Sequence, residues 1–436
     1  MKTTLFTFIA SALLTVTANN FLSAQPKAKT QIDLSLNVAA ANPVNMQSYE
    51  AFKQSIKPLI EKMGAKQIVG LGEGTHGTAE FYKLRYWISR ILIEEKGFNH
   101  IAFENDYSDS WLLNSQLNTS ANLDSLMKKH MLSIWQNTET KELLTWVKEY
   151  NSKHSNKVTI DGIDYVYITA DIEMLKTLLA KTTAANLLDS MTTVEKAANL
   201  QDANWEGMNK PGFNVDYEAV GKSSAHGYKV ADKLDKQIAA SGLSEGDKAA
   251  CHLALLNIEQ AFSPFYDEAM KLPEASRDSN MAYNASLIMK QHGAKMIIWA
   301  HDAHLAKTGI YNNEVGGTGG KILSMFPNNY FVLGSGTATG TFAATKEPRD
   351  TYTNAMAAYT LEKPIADSWE ETLNNISGPA FYFEPAQFNP QKTSKQMRFI
   401  GYGPDSGIKT YDKTNVNDMY DAFLFVKETH AATPLK

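Results

Sequence analysis

The stretch Gln67-Ile68-Val69-Gly70-Leu71-Gly72-Glu73-Gly74-Thr75-His76-Gly77 decides how the rest of the chain is read. Its first half is short, apolar and bounded by glycine, the pattern of a buried strand. Its second half sets a carboxylate and an imidazole between three glycines. Behind it Phe81, Leu84, Ile88, Ile91 and Leu92 share one helical face, and Lys96-Gly97 ends the helix with a cation and a C-terminal glycine. Strand, polar glycine turn and helix in that order open a parallel α/β unit.

Outward from this unit the same alternation continues. Ile101-Ala102-Phe103-Glu104 reads as the next strand, followed by helical stretches over about 107–118 and 139–152. Val158-Thr159-Ile160 is a third strand, ending at Gly162-Ile163-Asp164. Upstream, Phe52, Ile56, Leu59, Ile60 and Met63 predict one helix from Ser48 to Met63. Residues 168–293 hold almost no β-branched runs and read as a block of four or five helices. Strand signals return at Met296–Ala300, an uninterrupted apolar run of the kind parallel strands show. Further strands are expected at 330–333, 379–383, 398–401 and 422–426. The fold class is α/β: a largely parallel central sheet flanked by helices, with a mainly helical insertion over about 168–293.

The chain has 436 residues, a formal net charge of −5 and one cysteine. Without a basic run it does not read as a nucleic-acid binder, and a single cysteine excludes a disulfide framework. That residue, Cys251, lies in an apolar helical stretch and is expected in the core. Met1-Lys2, an apolar run from Leu5 to Val16 and the small-residue site Leu22-Ser23-Ala24 describe a secretory signal peptide over 1–24. The run is too short for a membrane span, and no later segment reaches 18 apolar residues, so a mature protein with no membrane anchor is expected in the periplasm or outside the cell. Residues 25–436 are expected to form a single domain.

Ligands of parallel α/β sheets bind beyond the carboxyl ends of the strands. The residues at those ends are Glu73 and His76, then Glu104, then Asp164, and finally His301-Asp302-Ala303-His304. Four strand ends carrying titratable groups point to an active site. Arg85, nine residues beyond His76, either reaches the turn or pairs with surface glutamates. Gly72-x-Gly74-x-x-Gly77 also matches a dinucleotide fingerprint, but Glu73 would face the pyrophosphate and Glu104 lies further along than the usual acid. A three-ligand metal site from His76, His301 and His304 is a second alternative, though no stock ligand spacing is present. No G-x-S-x-G elbow occurs, and Gly334-Ser335-Gly336 is expected as a tight loop. Trp111, Trp135, Phe262 and Tyr266 read as core aromatics, whereas Trp205, between Asn204 and Glu206, is a substrate-binding candidate with Asp164.

The run Gly70-Leu-Gly-Glu-Gly-Thr-His-Gly-Thr-Ala-Glu-Phe-Tyr-Lys-Leu-Arg85 resembles the erythromycin esterase family. So do Gly97-Phe98 with Glu104, Trp135 with Leu143-Leu144-x-Trp146, Gly162-x-Asp164, and Trp299-Ala300-His301-Asp302-Ala303-His304. These motifs keep their order over nearly all of the chain beyond residue 50. Asp302 departs from the asparagine common in the family. The resemblance implies a metal-independent and cofactor-free esterase that opens a macrolide lactone with activated water. Glu73, His76, Arg85, Glu104, His301 and His304 are its matching catalytic positions. His76 is the expected base, oriented by Glu73 or Glu104, with Arg85 or the late histidines facing the lactone oxygen and His301 preferred over His304. A relative acting on another lactone or an envelope ester is the alternative, and a periplasmic metal-, haem- or sugar-binding protein the reading from another class.

Overall fold

Every residue of the strand that follows Gln67 is buried, and this strand becomes the middle of a nine-stranded sheet. The computed structural model describes residues 35–180, 185–270, 276–290 and 294–436; the expected leader over 1–24 lies outside them. Asp33–Lys436 forms one compact unit. The strands are β1 (Asn42–Pro43), β2 (Ile68–Glu73), β3 (His100–Asp106), β4 (Thr159–Asp164), β5 (Met296–His301), β6 (Tyr330–Ala344), β7 (Ala357–Thr360), β8 (Ala380–Phe383), β9 (Lys395–Arg398), β10 (Tyr411–Thr414) and β11 (Ala422–Thr429). Their order in the sheet is β1-β8-β11-β6-β2-β5-β3-β4, with β7 on the end of β6. The six strands from β11 to β4 run parallel, while β8, β1 and β7 join antiparallel.

Side chains alternate across a strand, and the sequence uses the two faces differently. Val69 and Leu71 of β2, Ile101 and Phe103 of β3, and Ile297 and Trp299 of β5 pack on one face. Ile68, Ala102, Met296, Ile298 and Ala300 pack on the other. The first face is covered by α1 (Tyr49–Ser55), α2 (Lys57–Gly64), α3 (Ala79–Lys96), α4 (Tyr107–Leu117), α5 (Leu123–His130) and α6 (Thr138–Lys153), whose apolar residues dominate its cluster. The second adjoins the helical block of α7 (Thr169–Leu179), α8 (Met191–Gly207), α9 (Tyr217–Ala239), α10 (Glu245–Met270) and α11 (Arg277–Lys290). Two short helices follow β5, α12 (Asp302–Leu305) and α13 (Thr318–Met325). Cys251 is buried in the helical-block cluster.

Local departures from the expected elements have local causes. The helix expected from Ser48 to Met63 is two helices meeting at Ile56, because Pro58 lacks the N–H that a continuous helix requires and instead occupies the first turn of α2. The strand expected at 398–401 contributes only Arg398, at the end of a separate two-stranded ribbon of β9 and β10; Ile400 instead bridges to Thr75 of the glycine turn. Gly334-Ser335-Gly336 is no loop but the middle of β6, where Phe423 and Tyr420 crowd the glycine positions.

Candidate functional site

The strand register fixes the first half of the site. Glu73 is paired with His301 across β2 and β5, and Asp106 with Asp164 across β3 and β4. The carboxyl ends of these four strands therefore share one edge. Gly77 turns the chain from β2 into α3 with φ 71°, and a side chain there would collide with the Ala343 carbonyl. The glycine turn is consequently pressed against β6, and His76 is held by its backbone N–H to the Ile400 carbonyl at 3.0 Å.

From this turn a chain of charges runs inward. His76 Nδ1 lies 2.8 Å from Glu73 Oε1, and Glu73 Oε2 lies 3.0 Å from Arg85 Nη2. Arg85 is only 3% exposed, and its guanidinium carbon sits 4.6 to 5.4 Å from the ring centres of Trp299, Tyr82 and Trp135. It therefore stands behind Glu73 and not at a substrate-facing position. Glu73, fully buried with a guanidinium at its back, remains the acceptor of the Nδ1 proton. This leaves Nε2 of His76 as the nitrogen with a lone pair, and it makes no hydrogen bond among the described residues.

Glu104 is the hub of the second half. Its Oε2 accepts from the His301 amide at 2.9 Å, and its Oε1 from Arg277 Nη2 at 3.0 Å. Burial opposes its ionisation, but His304, Arg277, His76 and the His301 amide outweigh burial and hold the carboxyl well below the usual range. Arg277 Nε donates to Asp164 Oδ1 at 3.0 Å, and Nη2 also reaches Asp164 Oδ2. Asp164 is thus the acid that orients Arg277.

The two late histidines differ. His301 Nδ1 accepts from the Ala303 amide at 3.2 Å, capping α12, and Nε2 donates to the Ile400 carbonyl at 3.1 Å. Burial and the neighbouring His76 hold its pKa far below the ordinary value, so the ring is neutral with both nitrogens occupied. His304 gives its Nδ1 proton to Asp278 Oδ1 at 2.8 Å, and its Nε2 lies 3.3 Å from Glu104 Oε1 and 3.2 Å from Arg277 Nη1. Burial works against its charge, yet Glu104 and Asp278 prevail and raise its pKa. Of the pair, His304 has the nitrogen directed at the charged centre, whereas both nitrogens of His301, the expected choice, are taken by backbone groups.

Asp302 turns away from the cleft. Its carboxyl accepts from the Ser335 amide at 2.9 Å and fills the space a side chain at Gly72 would need. Burial raises its pKa well above the usual carboxylate range, with Glu73 adding to the rise and the Ser335 amide opposing it. Trp205 does not project freely; its Nε1 donates to the Asp350 carbonyl at 3.2 Å, and Arg349 covers its ring. No cluster of three His, Cys, Asp or Glu side chains among the described residues is disposed to hold a metal ion.

Sequence reasoning missed Arg277, Asp278 and Asp350. The first two begin α11 at the end of the helical block, a region without strand-end logic. One signal was present: Arg277 is the single arginine in residues 168–293, among many lysines, and a planar fork suits two carboxylates as an ammonium does not.

A sequence profile described as erythromycin esterase matches residues 93–429. That span includes Glu104, Asp164, Arg277, His301, His304 and Asp350, and begins after Glu73, His76 and Arg85. The chain is 25% identical over 374 residues to erythromycin esterase type II of Escherichia coli, covering 79% of this chain and 87% of that one. It is 25% identical over 261 residues to erythromycin esterase type I of Escherichia coli, covering 56% and 63%. Among solved structures, a succinoglycan biosynthesis protein shares the fold with a TM-score of 0.77, 19% identity and coverage of 94% of this chain and 100% of that one. A mutant of the erythromycin esterase EreC in its open conformation superposes with a TM-score of 0.63, 16% identity and coverage of 89% and 96%.

Proposed function

Because the chain belongs to the erythromycin esterase family, and is thereby an ester hydrolase, we propose that it opens the lactone ring of a macrolide by direct attack of water. The observation that carries this reading is the Arg85–Glu73–His76 chain, which ends in an imidazole nitrogen free to take a proton. A neutral imidazole with an open nitrogen can take a proton from water, the usual work of a histidine base. Glu73 holds the Nδ1 tautomer and stabilises the imidazolium as it forms, the same division of labour as in a hydrolytic triad. Arg85 fixes Glu73 from behind through its second carboxyl oxygen.

Hydroxide formed at His76 Nε2 attacks the ester carbonyl, and negative charge gathers on the former carbonyl oxygen. Arg277 is the group to receive it. Its side chain is 28% exposed, and three carboxylate contacts and His304 engage all but one of its guanidinium hydrogens. The remaining one, on Nη1, is available to the oxyanion. Such a donor is worth about 3–4 kcal/mol to the transition state. Glu104 and Asp164 hold the guanidinium plane, and His304, its Nδ1 proton given to Asp278, braces the other Nη1 hydrogen. No cofactor or metal takes part in this sequence.

The test is mass spectrometry of a 14-membered macrolide after incubation with the wild-type protein and with His76→Ala, with and without EDTA. A gain of one water that survives EDTA and disappears in the variant is expected. An unchanged macrolide would transfer the same chemistry to other lactones and envelope esters, to be sought in an ester panel. We also infer export to the periplasm or beyond, on the strength of the Leu5–Val16 run; recovery of a product beginning at Gln25 outside the cytoplasm is the outcome expected, and an intact Met1 would refute it.

A further inference from the structure

Breaking an ester requires two proton transfers, one from water and one to the departing alkoxide. His76 can return the water proton to the alkoxide, as the histidine of a hydrolytic triad does; a separate acid frees the imidazole from serving both transfers. The carboxylates around His76 are engaged: Glu73 by Arg85 and His76, Glu104 and Asp164 by Arg277, and Asp278 by His304, Thr318 and the Gly316 amide. None is placed to carry a proton to substrate. Asp302, whose pKa burial raises, lies beneath Gly72 against β6.

Asp350 is different. It lies on the strap that leaves β6, and it is 6% exposed. Its Oδ1 accepts from the Ser133 hydroxyl, while its Oδ2 is buried without a hydrogen-bond partner. No cation pairs with it among the described residues. The strap is pinned from the helical block: Asn209 brackets Arg349 by accepting from its amide at 2.9 Å and donating to its carbonyl at 3.0 Å, and Trp205 holds the Asp350 carbonyl. From the other side, the Ser133 amide donates to the Thr351 carbonyl at 2.9 Å. Two residues on, Trp135 meets the His76 ring edge-on at 6.2 Å. Asp350 is thus held by its backbone against the Ser133–Trp135 turn that packs on His76, with its Oδ2 buried beside the Thr351 amide.

We propose that Asp350 is a catalytic residue that donates its proton to the alcohol oxygen leaving the tetrahedral intermediate. The proposal rests on the ester-hydrolysis reading above. In the step, the carbon–oxygen bond to the alcohol breaks, its electron pair moves to that oxygen, and the Asp350 carboxyl proton neutralises it. The water proton on His76 and the carboxylate on Asp350 then recombine through solvent, restoring both groups, and the product acid ionises. Burial supplies the protonated form. It pushes the Asp350 carboxyl up to about 7, against the Ser133 hydrogen bond, the charge of His76 and the Thr351 amide, which pull it down, and with Glu104 adding to the rise. The other titratable and charged groups facing this position are Tyr82 of α3, Tyr402 beyond β9 and the adjacent Arg349.

The test is the pH profile of kcat for macrolactone opening by the wild-type protein, Asp350→Asn and Ser133→Ala. The wild type should lose rate as pH rises through about 7, as Asp350 gives up its proton. Asp350→Asn should lower kcat by a factor on the order of 10² to 10⁴, the usual reach of a general acid, and should lack that alkaline limb. Ser133→Ala removes a hydrogen bond that favours the carboxylate and should displace the limb to higher pH. An Asp350→Asn kcat within a few-fold of wild type, or a limb unmoved in Ser133→Ala, overturns the proposal. If Asp350→Asn fails to fold, Ser133→Ala decides alone. A wild-type protein that opens no macrolactone refutes the function itself, and this inference falls with it.

Discussion

On one side of the cleft Glu73, His76, Glu104 and His301 stand at the ends of buried parallel strands; on the other Arg277, Asp278 and Asp350 come from the start of a helix and from a strap. The strand side is fixed by register. Moving Glu73 would mean moving β2 against β5 and β6, with which every one of its residues pairs or packs. The helix side is fixed by side chains: Arg277 finds its place by gripping Glu104 and Asp164, and Asp350 by Trp205, Asn209 and Ser133. A rigid edge therefore carries the proposed base, and an assembled wall carries the groups proposed to meet developing charge. Mutations should affect the two sides differently.

The largest effect is expected on the rigid side. His76→Ala should reduce kcat by about 10³-fold or more, by removing the general base, while circular dichroism and the urea midpoint stay near wild type. A loss of stability of comparable weight would mean that the strand side is no more independent than the helix side. On the assembled wall, Arg277→Met should cost both activity and stability. It leaves Glu104 and Asp164 buried without their cation, a situation that typically costs about 3–5 kcal/mol, measurable by urea unfolding. Arg277→Lys should recover only part, because an ammonium cannot span both carboxylates.

Smaller changes sharpen the comparison. Trp205→Phe keeps the ring under Arg349 and deletes the hydrogen bond to the Asp350 carbonyl; it should cost about 1 kcal/mol and lower kcat more than it raises KM. Asp302→Asn should leave activity nearly unchanged and alter the pH dependence of stability. The folded state holds the Asp302 proton far above the pH at which the unfolded chain, with a carboxyl pKa near 3.9, releases it. The folded state thus binds more protons, and stability falls as pH rises above that value. The asparagine variant avoids this loss, so its stability should exceed that of wild type at pH 7–8 and converge with it near pH 4. A constant difference between the two proteins over that range would show that Asp302 is ionised in the fold.

The strand side was legible because its cues are short-range. An apolar run ending in Gly-Glu-Gly-Thr-His-Gly names both the strand and the groups displayed at its end, and the parallel-sheet rule brings four such ends to one edge. The role of Arg85 was less so. Its spacing from His76 left two readings, and neither anticipated a guanidinium enclosed by Tyr82, Trp135 and Trp299 behind Glu73. His301 and His304 were hard to tell apart for a related reason: two histidines three positions apart look equivalent until the Ile400 carbonyl, brought from 99 residues away, claims one imidazole and Asp278 the other.

The sequence alone determined the α/β class, the helical insertion, the order of strands along the chain and the chemical groups at the strand ends, because period, glycine placement and residue type act within a few positions of one another. The tertiary structure decided which groups pair. Arg277 lies 113 residues from Asp164 and 173 from Glu104, and Ser133 lies 217 from Asp350. Those partnerships set the charge on each carboxyl, and nothing local in the sequence encodes them, since the free energy that orders them comes from burial and appears only when the chain has closed around them.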